Sequence, residues 1–276
     1  MKNILIPTDF SPSANNALRV AALIARQAKA EIHLLHSVRT NIDWAHLPIE
    51  KRASYPETLA NIEKAESQLE KESWKPLLKG LKIHTHLVAG NIYEQIVHFA
   101  NKKVKADLVV MGAHGPDEPK ELFIGSNAQK TMRMAQCPVL TIKKNFKGKT
   151  FKKILFASDF AENVNASFEK ILDVAKAVKA KIEMVFINTP TDFKNDDTIN
   201  QIMDKFIAKY PGVKFSKAVY NHQLPDRGIL NYSLASKPDM ISLVTHGNRH
   251  IPHYLLGVTE TLVYHSNFPV LSMNIK

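Results

Sequence analysis

The chain has 276 residues, a formal net charge of +11, 45% hydrophobic and 23% charged residues, and one cysteine. That composition excludes a disordered chain and leaves room for one large domain or two ordinary ones. No apolar run approaches the ~20 residues of a membrane-spanning helix, and the lone Cys137 excludes an internal disulfide, so cytoplasmic residence with no membrane span is expected.

Residues 2–7 read as a central strand closed by Pro7, which cannot donate to a sheet ladder. Thr8, Asp9 and Phe10 form a strand-to-helix turn, and Ser11 followed by Pro12 suits a helix cap with proline at the first helical position. The helix that follows runs to about Lys29, with Ala17, Leu18, Ala21, Ala22 and Ala25 on its inward side. Strands are expected at residues 31–38, 82–89 and 107–111. A polar connection at 39–55, a long amphipathic helix at 56–79 and a turn and helix at 90–104 join them. This β-α-β-α-β-α-β order indicates a parallel sheet with helices on both faces, whose ligands gather at the carboxyl ends of strands. Asp9, Ser37 and Gly112 all sit at such ends.

The next stretch, MGAHGPDEPKELFIGSNAQK from Met111 to Lys130, follows the fourth strand with the spacing G-x2-G-x9-G-S over Gly112, Gly115, Gly125 and Ser126. Glycines past a strand allow positive φ and close backbone approach, and Gly125-Ser126 opens a helix whose unpaired N–H groups suit a phosphate. The plainer reading takes the glycines as turn residues and Ser126 with Gln129 as a capping box. A helix then leads through Cys137 into a fifth strand, PVLTI at residues 138–142.

This spacing, with ILIPTDFS at residues 4–11 and the Cys-Pro-Val-Leu strand, resembles the universal stress protein family. The resemblance implies ATP (or ADP or AMP), accompanied by Mg2+, with phosphates at Gly112, Gly115, Gly125 and Ser126 and with Asn127 beside them. It implies Asp9, within Pro7-Thr8-Asp9, for ribose or adenine, and Ser37 or Val38 near the base through main chain. Met111 is a candidate for packing on the base, and His114, inside the motif, for touching a phosphate.

The chain then repeats itself. ILIPTDFS is matched by ILFASDFA from Ile154, and Pro138-Val139-Leu140 by Pro269-Val270-Leu271. The second glycine motif keeps Gly247 and Gly257, but Val244 stands where Gly112 stood and Val258 replaces Ser126. The extra methyls crowd a phosphate and the lost hydroxyl removes a donor, so this copy reads as structural or regulatory, without nucleotide.

His246, His250 and His253 have metal-like spacing, but Gly247 and Pro252 break the helix that would align them, so they read as loop histidines and no metal site is assigned. The scattered lysines read as a solvated basic surface without specific nucleic-acid recognition. The expectation is therefore an α/β protein of two tandem Rossmann-like domains of the adenine nucleotide alpha hydrolase-like type, 1–144 and 150–276, joined by a lysine-rich linker. Each is a five-stranded, mostly parallel sheet with helices on both faces. The resemblance implies an intramolecular pseudo-dimer in which the two final strands meet antiparallel, and leaves open a homodimer and a protein partner of unknown identity. The expected role is a stress-response regulator or interaction module that binds adenine nucleotide. The alternatives are a slow ATP hydrolase or nucleotidyl-transfer enzyme, or a nucleotide-free scaffold; no catalytic residue is assigned.

Overall fold

A computed structural model describes residues 1–44, 46–114, 125–246 and 257–275. The first half runs β1 (Asn3–Pro7), α1 (Pro12–Ala28), β2 (Glu31–Val38), α2 (Ile49–Arg52), α3 (Pro56–Ser73), β3 (Ile83–Ala89), α4 (Ile92–His98), β4 (Leu108–Gly112), α5 (Ser126–Met134) and β5 (Val139–Ile142). The second runs β6 (Lys153–Ala157), α6 (Asn165–Ala177), β7 (Lys181–Asn188), α7 (Asp196–Ile207), β8 (Phe215–Asn221), α8 (Pro225–Ser236), β9 (Met240–His246), α9 (Val258–His265) and β10 (Val270–Ile275).

All ten strands form one sheet in the order β3-β2-β1-β4-β5-β10-β9-β6-β7-β8. The two halves thus share one internal order, and every pairing is parallel except β5 with β10, where Leu140 faces Leu271 in antiparallel register. That junction joins what would be two free sheet edges. Within the first half the chain moves outward from β1 to β2 and β3, then returns to add β4 and β5 on the other side. The carboxyl ends of β1 and β4 therefore flank a topological switch point, where parallel α/β sheets open a crevice.

Alternation along the strands divides the core into two layers. Ile4, Ile6, Leu108 and Val110 point into a layer that continues through Leu140 and Leu271 to the phenylalanines of the second half, Phe156, Phe168 and Phe206. Leu5, Val109 and Val139 point to the opposite layer, beneath α4 and α5. At about 25 cal/mol per Å2 of apolar surface removed from water, such side chains contribute roughly 1.5–3 kcal/mol each, which is why the buried pattern fixes the register.

Helix α1 begins as its sequence requires: Ser11 accepts the Ala14 N–H, Pro12 occupies the first turn, and Lys29 closes the helix in the left-handed region. The expected helix at 56–79 instead ends at Ser73, and a 3-10 turn at Pro76–Leu78 follows. Pro76 has no N–H to give and disfavours helical geometry at the residue before it. The lysine-rich connection between halves is pinned to α1, with Arg19 donating to the carbonyls of Phe146 and Gly148, both at 2.9 Å.

Candidate functional site

The site starts at the end of β1. The Thr8 N–H donates to the Leu35 carbonyl at 2.8 Å, tying the turn to β2. Thr8 Oγ1 accepts the Phe10 N–H and Asp9 Oδ1 the Ser11 N–H, each at 3.0 Å. These bonds brace a turn in which Phe10 takes a φ of 65°, unusual for an aromatic residue. Its ring stacks on His36 at 4.5 Å between centroids, and His36 Nδ1 lies 2.7 Å from the Thr8 carbonyl oxygen. A carbonyl only accepts, so that nitrogen carries the proton.

The opposite wall is the end of β4 and the start of α5. Gly112 belongs to β4 and has no positive φ; a Cβ there would lie 2.8 Å from both Ala14 N and Ser13 C. The sequence reading gave this glycine to the ligand, whereas the space it keeps free is occupied by the first turn of α1. Gly125 does need its glycine, with φ of 92°, and its backbone passes His114, whose Cδ2 would stand 3.3 Å from an added Cβ. Ser126 is the first residue of α5 and Gly125 holds the cap position, so the serine does not stand where a capping box needs it. The first turn of α5 has no acidic residue of its own, so its N–H groups and dipole end suit an anion.

Between these walls lies a cavity of about 320 Å3. It gathers Pro7, Thr8, Asp9, Ser37, Met111, Gly112, His114, Gly125, Ser126 and Asn127 from separate strand ends and helix starts. Val38 does not line it; that residue is buried, and its carbonyl accepts the Gly90 N–H at 2.9 Å. Gly115, His250 and His253 lie outside the described residues. Ser37 Oγ is buried at the cavity with no hydrogen-bond partner, and a buried hydroxyl without a partner is a cost that a ligand atom removes. Sequence reasoning missed His36, Ser13, Ile92 and Ile96, all of which line the same cavity. The i, i+4 spacing of the two isoleucines marks a buried helix face and carries no signal for a site.

Comparison with known proteins decides the family: the universal stress protein family model matches residues 1–143. The chain belongs to the universal stress protein family. The universal stress protein MJ0531 of Methanocaldococcus jannaschii is 37% identical over 145 residues, covering 52% of this chain and 82% of the relative. MJ0577 of the same organism is 28% identical over 161 residues, covering 52% of this chain and 95% of its own. The crystal structure of a universal stress protein from Archaeoglobus fulgidus superposes with a TM-score of 0.76 over 99% of this chain and 98% of that one, at 18% identity, which establishes the shared fold.

In this universal stress protein the matching place in the second half is a larger cavity, about 510 Å3, lined by Asp159, Val244, Val258 and Glu260 among others. Val258, not serine, opens α9, and Glu260 stands in that helix's first turn, 6% exposed. The Glu260 carboxylate reaches back so far that a Cβ on Gly257 would lie 2.8 Å from its Oε2. The helix end that faces a ligand in a phosphate site therefore already has an internal anion. Arg133, from α5 of the first half, completes the arrangement with Nη2 2.7 Å and Nε 3.0 Å from Glu260 Oε1. Val244 coincides with a remodelled helix start, since a 3-10 turn at Glu162–Val164 precedes α6 where α1 begins directly. Cys137 is buried, and loss of water pushes its thiol up to about 12, so it is an inert core residue. No helix among the described residues is long and apolar enough to cross a membrane.

Proposed function

We propose that the first half of this chain, residues 1–144, binds an adenine nucleotide, ATP with Mg2+, and that the protein acts in the cytoplasm as a stress-response regulator or interaction module. The observation that carries this reading is the convergence, on one cavity at the switch point, of the first turn of α5, which has no acidic residue, with the partnerless hydroxyl of Ser37. The α5 end suits the phosphates, Ser126 and Asn127 being placed to donate from main chain and side chain. Ser37 and Met111 lie on the strand-end side, where a base would be held. Asp9 is the one carboxylate among the described residues lining the cavity, and it suits a ribose hydroxyl or a water of the magnesium shell.

A binding module is favoured over an enzyme, since Asp9 already accepts the Ser11 N–H and His36 has its Nδ1 proton on the Thr8 carbonyl. The second half, residues 150–276, is read as nucleotide-free because Glu260 stands where a phosphate would need to be.

The test is to denature freshly purified protein and separate any released nucleotide by chromatography, with magnesium-ATP calorimetry on the emptied protein. Ser126→Asp serves as the variant, because a carboxylate at the first turn of α5 repels phosphate while favouring the helix dipole. Stoichiometric adenine nucleotide that disappears in Ser126→Asp fits the proposal. No nucleotide and no heat of binding would leave a scaffold, and multiple turnovers of ATP abolished by the same substitution would make the protein an enzyme.

A further inference from the structure

At the other end of β2 from the nucleotide cavity, four side chains that the proposed function does not use converge. Glu31 and His33 of β2 and His84 and His86 of β3 share one sheet face, since His33 pairs with His84 and Leu35 with His86 in parallel register. A ligating atom each from Glu31, His33 and His84 lies within 4.8 Å of the others. Glu31 Oε2 is 2.8 Å from His84 Nε2, and Glu31 Oε1 is 2.8 Å from Lys82 Nζ. His33 stacks between His84 and His86, at 4.7 and 5.3 Å between centroids, and its Nδ1 is 3.1 Å from His86 Nε2. Its remaining nitrogen, Nε2, is buried with no partner.

We propose that Glu31, His33 and His84 form a binding site for a divalent transition-metal ion of the zinc type, with His86 and Lys82 as the groups that orient it. A carboxylate and two imidazoles are the donor set such an ion takes when it keeps a position for water. The hydrogen bonds already present assign each atom a role. In the tautomer in which His33 Nδ1 donates to His86 Nε2, the orphaned His33 Nε2 is left bare for the ion. Lys82 holds Glu31 Oε1, which leaves Oε2 to ligate. Outer partners of this kind fix the tautomer and orientation of metal ligands.

An ordinary half-exposed edge face would carry isolated threonines or charges whose polar atoms reach water, and stacked imidazoles with a buried bare nitrogen do not fit that description. Metal bonds of about 2.0–2.1 Å to nitrogen set ligand-to-ligand separations of roughly 3.3 Å in a tetrahedral site. Closing from 4.8 Å needs the cofacial rings of His33 and His84 to splay about χ2, a soft torsion for histidine. β3 is the outermost strand of its half, so the site has an entry path from solvent.

The experiment is calorimetric titration of tag-free, chelator-treated protein with Zn2+, together with the visible absorption of the Co2+ form. One ion per chain is expected, with the intense absorption of a four-coordinate cobalt site. His84→Gln is expected to weaken zinc at least tenfold, and His86→Gln, which removes only the orienting partner, by tenfold to a hundredfold. His46→Gln, an exposed histidine paired with Asp43 outside the cluster, leaves binding unchanged. Melting curves of the metal-free variants check that each is folded, and the partly exposed His84 is the substitution least able to disturb the core. Absence of stoichiometric binding overturns the proposal, as does binding that survives equally in His84→Gln and in a Glu31→Gln, His84→Gln double variant.

Discussion

Replacing Gly112 by alanine isolates what the first glycine of the motif does. The new Cβ would stand 2.8 Å from Ala14 N, 2.8 Å from Ser13 C and 3.0 Å from Ser13 Cβ, closer than folded proteins tolerate. Two of those atoms are backbone in the first turn of α1, which is fixed by the Ser11 cap and by the buried Ala14, Ala17 and Leu18, so no side-chain rotation relieves the contact. Either β4 or the whole helix must move. Overpacking of this kind costs about 1–3 kcal/mol. With a shift of about 2–4 °C per kcal/mol for domains of this size, the expected fall in Tm is about 2–12 °C. The assay is thermal unfolding followed by circular dichroism on nucleotide-free protein, in which a ligand effect cannot contribute. A Gly112→Ala variant that melts with the parent would refute the packing argument and return Gly112 to the role of leaving room for a phosphate.

Ser126→Asp is expected to leave nucleotide-free stability unchanged or raised by about 0.3–1 kcal/mol through the helix dipole, read by denaturant unfolding. Glu260→Gln strands Arg133 across the junction of the halves; removing one partner of a fully buried pair costs about 3–5 kcal/mol, and the partial exposure of Arg133 reduces that to about 1–3 kcal/mol, measurable as a lower midpoint in urea. Restoring serine at Val258 creates no phosphate site while Glu260 remains, so calorimetry with magnesium-ATP shows no second binding event in Val258→Ser. Cys137, buried and with its thiol pushed up to about 12, is expected to react with a thiol reagent only at the rate of local unfolding, and fast labelling of native protein would contradict its placement.

Local rules settled much of this protein before any tertiary contact was considered. Apolar runs located β1, β4 and β5, because a strand buried on both faces is apolar along its length, and alternation located β2 and β3, each with one more polar face. The Ser11-Pro12 start of α1 and the glycine spacing beside β4 could likewise be read directly, since caps and turns depend on a few neighbouring residues. The same holds for the decay of the second motif at Val244 and Val258. The early end of α3 is equally local, set by Pro76, and the expectation of a helix to residue 79 ran past that signal.

Tertiary structure alone decided why particular residues are what they are. Gly112 answers to Ser13 and Ala14, far away in sequence, and the sequence pattern cannot distinguish that from service to a ligand. Val38 drops out of the site because its carbonyl is taken by the N–H of Gly90, just past β3, whereas Ser37 remains with a hydroxyl that nothing else satisfies. Glu260 acquires its role as an internal anion only when its side chain reaches back to Gly257 at the start of α9 and Arg133 arrives from the other half. The histidines of β2 and β3 look like ordinary polar positions along two separate strands. They become a cluster only through the parallel register that sets His33 beside His84, since pairing between strands is fixed by contacts that no single stretch of chain contains.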